Sequence, residues 1–221
     1  MADTLHPQAD EIRPQEGPQE AFLNCRADIA VYGGAAGAGK TYALLMEPLK
    51  GARIKGFRGI LFRRTSPEIT GGGGMWDESE LIYPMLGASP RRQSMQWSFG
   101  SGAKIEFSHL EYEKHLNAHQ GRQYAYIGFD QLEHFTAKMF WYMLSRARSI
   151  CGVVPYVRAT VNPDPDSFVR QLIDWWIDDQ GFAIQERSGV IRYFIRANNT
   201  EVWADEPQWF PDNGYTVEDG Y

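Results

Sequence analysis

The chain has 221 residues, enough to bury one sizeable core, and 43% of them are hydrophobic, with 12 Phe, 11 Tyr and 7 Trp. That composition excludes a disordered chain. Lys and Arg number 22 against 28 Asp and Glu, and the net charge of −6 excludes a dedicated nucleic-acid clamp while leaving room for a local basic patch. The two cysteines, Cys25 and Cys151, lie far apart with no CxxC partner, which reads as a reduced, intracellular protein without a zinc site. No apolar run approaches the roughly 18 residues of a membrane span, and the polar, acidic N-terminus is unlike a signal peptide. The expected location is the cytoplasm, with no membrane partner.

In chain order, residues 1–17 form a polar arm, and residues 18–24 (PQEAFLN) start a short helix with Pro in its first turn. Residues 28–32 (DIAVY) are a short apolar run that predicts a buried parallel strand. The next eight residues, Gly34, Ala35, Ala36, Gly37, Ala38, Gly39, Lys40 and Thr41, follow the pattern Gly, four residues, Gly-Lys-Thr, the phosphate-binding P-loop. Small residues let the backbone curl so that successive N–H groups face one anion. Lys40 adds positive charge at the β- and γ-phosphates of ATP, and Thr41 offers its hydroxyl to Mg²⁺. Residues 41–50 continue as a helix whose N-terminus favours the same anion.

Residues 57–64 (FRGILFRR) predict a second strand, residues 66–74 (SPEITGGGG) a loop, and residues 76–86 a helix. Residues 95–99 and 103–109 alternate apolar and polar around Gly100-Ser101-Gly102, the pattern of a hairpin. Residues 124–130 (YAYIGFD) form a buried strand ending in an acid. Residues 136–149 carry helical spacing with Thr136 as N-cap. A strand over 156–162 stops at Pro163 and Pro165, a helix covers 167–178, and 189–196 with 201–204 form a terminal hairpin about Asn198-Asn199. Strands and helices alternating around a P-loop predict an α/β fold with a mainly parallel sheet and a β-hairpin insertion. The ligand belongs at the carboxyl ends of the strands.

Asp130 stands where a P-loop ATPase keeps the acid that holds Mg²⁺. Many such enzymes follow this acid directly with a Glu that handles the attacking water; here the next residue is Gln131. Three readings stay open. Glu133 takes the role through a turn; Gln131 is native and orients the water as an amide can; or Gln131 is an engineered Glu→Gln change that traps ATP. Thr160 and Asn162, at the next strand end, supply polar groups that can sense the γ-phosphate and couple hydrolysis to movement. Six basic residues, Lys50, Arg53, Lys55, Arg58, Arg63 and Arg64, fall between Pro48 and Pro67 with no acid among them. They read either as DNA-phosphate contacts or as a solvated connection. The five histidines lack HExxH spacing, and His115 with His119 has no evident third ligand.

An ordered set of stretches resembles the ATPase domain of the large terminase subunit, the DNA-packaging motor of tailed bacteriophages. It comprises Arg13-Pro14-Gln15, PQEAFL from Pro18, YGGAAGAGKT from Tyr32, FRRT from Phe62, GMWDES from Gly74, IGFD from Ile127, LSR from Leu144 and RATVNP from Arg158. These run from about residue 13 to about 170. The resemblance implies a P-loop NTPase of the ASCE type over residues 18–180, with 181–221 leading toward a nuclease domain for which the chain has no room. It implies ATP and Mg²⁺ as cofactors, Gln19 (or Gln15) as the adenine-reading glutamine, Asp130 as the Mg²⁺ acid and Thr160–Asn162 as the coupling motif. It also implies a homo-oligomeric ring, usually pentameric, on the portal protein of a procapsid in the host cytoplasm. Double-stranded DNA and the small terminase subunit are the further partners. A trans-acting arginine then completes each ATP site; Arg122 is the first choice, ahead of Arg146 and Arg148. Gln131 departs from the family pattern. A helicase-like ATPase, or a nucleotide-binding assembly module that does not hydrolyse, is the alternative.

Overall fold

The computed structural model describes residues 12–34, 37–162 and 164–215. Strands β1 (Ile29–Gly33), β2 (Arg58–Arg63), β3 (Ser89–Arg91), β4 (Gln96–Ser98), β5 (Lys104–His109), β6 (Tyr126–Phe129) and β7 (Tyr156–Val161) form one sheet in the order β1-β7-β6-β2-β5-β4-β3. The five strands from β1 to β5 in that order run parallel; β4 and β3 complete the edge antiparallel. The expected hairpin at 95–109 is therefore part of the main sheet. Its second arm, β5, joins the parallel core beside β2. A separate two-stranded sheet is made by β8 (Tyr193–Ala197) and β9 (Thr200–Ala204). Its turn residues Asn198 and Asn199 both have positive φ (52° and 63°), as a tight two-residue hairpin turn requires.

The helices are α1 (Pro18–Asn24), α2 (Lys40–Met46), α3 (Pro67–Thr70), α4 (Met75–Ile82), α5 (Ala137–Leu144), α6 (Phe168–Leu172) and α7 (Trp209–Asp212). Several depart from the sequence expectation: the stretch at 76–86 is α4 followed by a 3-10 turn (Tyr83–Leu86), and that at 167–178 is α6 followed by a 3-10 turn (Asp174–Trp176). The α2 helix passes into a 3-10 turn at Glu47, where Pro48 removes a donor. The α5 helix is capped by the Thr136 hydroxyl, which accepts from the Met139 N–H as predicted. It stops at Leu144 because the chain doubles back: the Tyr124 N–H donates to the Arg146 carbonyl, and the Arg148 N–H to the Tyr124 carbonyl. The loop at 66–74 contains one helical turn, α3, started by Pro67 at its first position.

Alternation along the strands splits the core into two layers. Leu61, Tyr126, Ile105 and Phe107 pack with α2 and α4 through Leu44, Leu45 and Trp76, and with Tyr83 just after α4. Ile60, Phe62, Ile127, Phe129 and Val157 pack with α5 through Met139, Phe140 and Met143. Truncating any one of these large side chains to Ala is worth about 2–5 kcal/mol of stability. Two buried layers make the parallel strands rigid, and that rigidity fixes what stands at their carboxyl ends. Residues 12–17 are held to this body, since Ile12 packs on the first layer and Gln15 bonds to Gln19.

Candidate functional site

Strand register decides which residues meet. Tyr32 pairs with Thr160 and Gly33 with Val161, so the loop leaving β1 starts level with the end of β7. Phe129 pairs with Ala159, which puts Asp130 level with Thr160. Phe62 pairs with Phe129, and the Asp130 N–H donates to the Phe62 carbonyl, so Arg63 stands opposite Asp130. Three strand ends thus converge beside the glycine loop.

Gly34, Gly37 and Gly39 have φ of 153°, 81° and 67°, which side-chain-bearing residues rarely adopt. At Gly39 space is equally restrictive: a Cβ there would fall 2.2 Å from Gln19 Nε2. The Gln19 amide braces the loop, with Nε2 donating to the Gly39 carbonyl at 3.0 Å and Oε1 accepting the Gln15 N–H at 2.9 Å. Ala35 and Ala36 lie outside the described residues, and the carbonyl of Ala38 accepts from the Tyr32 hydroxyl. Lys40 is only 8% exposed, and its Nζ donates to the Gly34 carbonyl at 2.7 Å. Burial lowers its pKa, and the charges of Glu133 and Asp130 oppose that shift.

Thr41, Asp130 and Thr160 form one hydrogen-bonded group. The Thr41 hydroxyl lies 3.2 and 3.0 Å from the two Asp130 oxygens, and Thr160 donates to Oδ1 at 2.5 Å. Thr160 Oγ1 in turn accepts the Gln131 N–H at 2.9 Å. Gln131 is left-handed (φ 59°, ψ 62°) and starts a 3-10 turn that carries Glu133 back into the site. The Asn162 amide donates to Glu133 Oε1 at 2.9 Å. Glu133 Oε2 is buried, with no hydrogen-bond partner among the described residues. All the acid and coupling residues expected from the sequence are therefore brought together.

Two further residues reach the site. Arg63, read in the sequence as part of a basic run, turns inward, with Nη2 2.5 Å from Asp130 Oδ2 and Nη1 donating to Gln131 Oε1 at 2.7 Å. Glu78, on α4, has its pKa raised by burial and by the charge of Asp130, with Arg63 opposing. Both lie in stretches that carried the family resemblance, Arg63 in FRRT and Glu78 in GMWDES, but nothing in the sequence marked either as part of this site. The basic run does not form one face. Lys50 pairs with Glu47, Arg58 with Glu106, and Arg64 turns to the Leu110 carbonyl.

Arg122, Arg146 and Arg148 are not in this site. They cluster at the amino end of β6, on the far side of the strand from Asp130. Arg122 pairs with Glu106 at 2.5 Å and stacks over the Tyr124 ring, while Arg146 stacks over Tyr142. The Trp-rich stretch near Trp175 packs with arginines: Arg187 and Arg192 each lie 4.8 Å from its ring centroid.

Thr41 and Asp130 would hold a Mg²⁺ ion, directly or through water, since a hydroxyl and a carboxylate lie side by side at the end of the glycine loop. One strand, β7, separates the glycine-loop strand from the Asp130 strand, the layout of an ASCE P-loop fold. Solved structures are similar in fold. The large terminase from a thermophilic bacteriophage superposes with a TM-score of 0.58 at 14% identity, covering 76% of this chain and 44% of that one. The bacteriophage HK97 large terminase gives 0.55 at 9%, covering 73% and 36%, and the Thermus phage P74-26 large terminase ATPase domain gives 0.54 at 12%, covering 80% and 76%. The chain thus spans less than half the length of the first two of these proteins. The sequence itself matches the family described as terminase large subunit, T4-like virus type, N-terminal, over residues 31–219, and the chain belongs to that family. No curated protein matches it. Among the described residues, no helix is long and apolar enough to cross a membrane.

Proposed function

We propose that this chain is the ATPase motor domain of a large terminase, coupling ATP binding and hydrolysis to translocation of double-stranded DNA into a procapsid. The observation that carries the reading is the convergence of Lys40, Thr41, Asp130 and Glu133 at the carboxyl edge of β1, β7 and β6. In this reading the loop amides and Lys40 bind the triphosphate, with Gln19 and Gln15 lying beside the loop on the side where an adenine would be read. Thr41 and Asp130 hold Mg²⁺, which when bound neutralises charge on the phosphates. Glu133 is the residue that takes the proton of the attacking water: Asn162 fixes one of its oxygens, and the other is buried without a partner among the described residues. Gln131 is a poorer candidate, because its side-chain oxygen already accepts from Arg63.

Thr160 touches both Asp130 and the Gln131 backbone, so the end of β7 can pass a change at the phosphates into the sheet. The ATPase unit covers residues 18–180, with 181–221 as the segment leading away from it. In the assembled motor, a ring of copies, usually pentameric, acts with the portal protein and the small terminase subunit in the host cytoplasm. Arg122 of a neighbouring copy then supplies the trans charge; its distance from the site of its own chain agrees with that role.

ATP turnover tests the reading. The chain should hydrolyse ATP, and Lys40→Ala and Glu133→Ala should each abolish this. Unchanged turnover in Lys40→Ala would refute the P-loop assignment. Turnover that appears only in Gln131→Glu would mean that this chain binds ATP without hydrolysing it.

A further inference from the structure

Arg63 is 18% exposed and places its guanidinium between the two groups that would ligate the metal. One nitrogen, Nη2, lies 2.5 Å from Asp130 Oδ2 and 3.5 Å from Thr41 Oγ1. The other, Nη1, holds Gln131 Oε1 at 2.7 Å. Its Nε is buried with no partner among the described residues, so the guanidinium is clamped at its two ends only. Asp130 is 1% exposed, and Thr41 and Thr160 already donate to it. Little room remains on the carboxylate for a second cation.

We propose that Arg63 is an internal cation that competes with the divalent metal for Asp130. The ion pair and metal binding by Thr41 and Asp130 exclude one another, and metal binding releases Arg63 from Asp130 while it keeps its hold on Gln131. The physics is a direct exchange of one positive charge for another on a buried carboxylate, which must be paired in either arrangement. Arg63 is then a positioning residue: its release from Asp130 carries the Gln131 amide that it holds. The proposal rests on the P-loop reading above and adds to it a specific cost for metal entry.

Mn²⁺ affinity tests it, measured by electron paramagnetic resonance on the full chain with a non-hydrolysable ATP analogue. Removing a competitor that makes a charged hydrogen bond should tighten Mn²⁺ binding about tenfold or more in Arg63→Gln. Arg63→Lys, which keeps the charge but loses the two-ended clamp, should fall between the two. Circular dichroism melting checks the fold. If Arg63→Gln does not fold, the comparison of Arg63→Lys with the parent chain decides, equal affinities overturning the proposal. Unchanged or weaker Mn²⁺ binding in a folded Arg63→Gln overturns it as well. Lys40→Ala separates the two levels. Analogue binding that survives Lys40→Ala sinks the P-loop reading itself, whereas its loss, with Mn²⁺ affinity unmoved by Arg63→Gln, sinks only the role of Arg63.

Discussion

His119 should make this protein lose stability steeply on mild acidification. Its ring is 2% exposed, packs edge-on against Phe62 with centroids 5.1 Å apart, and shares a 2.9 Å hydrogen bond with the Tyr124 hydroxyl. Burial, and secondarily the charge of Arg122, lowers its pKa from 6.5 to about 4. The sign follows directly. Between these values the unfolded chain binds a proton that the native chain does not, so stability is complete above 6.5 and is lost as pH falls toward 4. At about 1.4 kcal/mol per pH unit, the full loss is about 3 kcal/mol. Glu47 shifts the other way: burial raises its pKa, so it removes stability as pH rises above 4.5. The assay is therefore a difference, urea unfolding from pH 4 to 7 for the parent chain and for His119→Gln, which keeps an acceptor for Tyr124. The two stability curves should converge on acidification. Parallel curves would refute the assignment of the acid sensitivity to His119.

Arg158→Ala should destabilise the fold by about 3 kcal/mol in urea unfolding, because it strips Glu47, 1% exposed, of a buried partner and frees the Ala27 and Cys25 carbonyls that the guanidinium ties to β7. Glu133→Gln should lower ATP turnover by about 10²- to 10⁴-fold while leaving nucleotide affinity near the parent value, read by stopped-flow turnover and equilibrium titration. Arg122→Ala should lower turnover by about 10³- to 10⁵-fold in an assembled ring and leave ATP affinity of the isolated chain unchanged, which a comparison of the two preparations checks.

The parts of the site that were legible in the sequence are those set by local rules. The glycine loop needs small residues in a fixed order, and the strands ending at Asp130 and Asn162 carry apolar runs that stop at a polar residue. Thr136 capping α5 and the Asn198-Asn199 turn were legible for the same reason. Arg63 was not, because its contact depends on β2 lying beside β6, and strand order is a long-range property that a linear reading does not contain. The parallel placement of β5 is hidden likewise: its alternation marks a strand, and only the sheet shows which neighbour it takes. The shortened α5 is set by the return of the chain to Tyr124, again a distant partner.

The charge balance around Asp130 explains why an amide is suited to position 131. Two cations, Lys40 and Arg63, face three carboxylates, Asp130, Glu133 and Glu78. The neutral Gln131 oxygen accepts from Arg63 without claiming its charge, which leaves that charge for Asp130. A carboxylate at 131 would add a fourth negative group within reach of the same guanidinium, and Arg63 would be shared between adjacent acids. In the function proposed above, the acid that handles water is carried two residues on, where the left-handed backbone of Gln131 and the following turn bring Glu133 to the Lys40 side of the site. The amide at 131 and the position of Glu133 are, on this account, two consequences of one arginine at the end of β2.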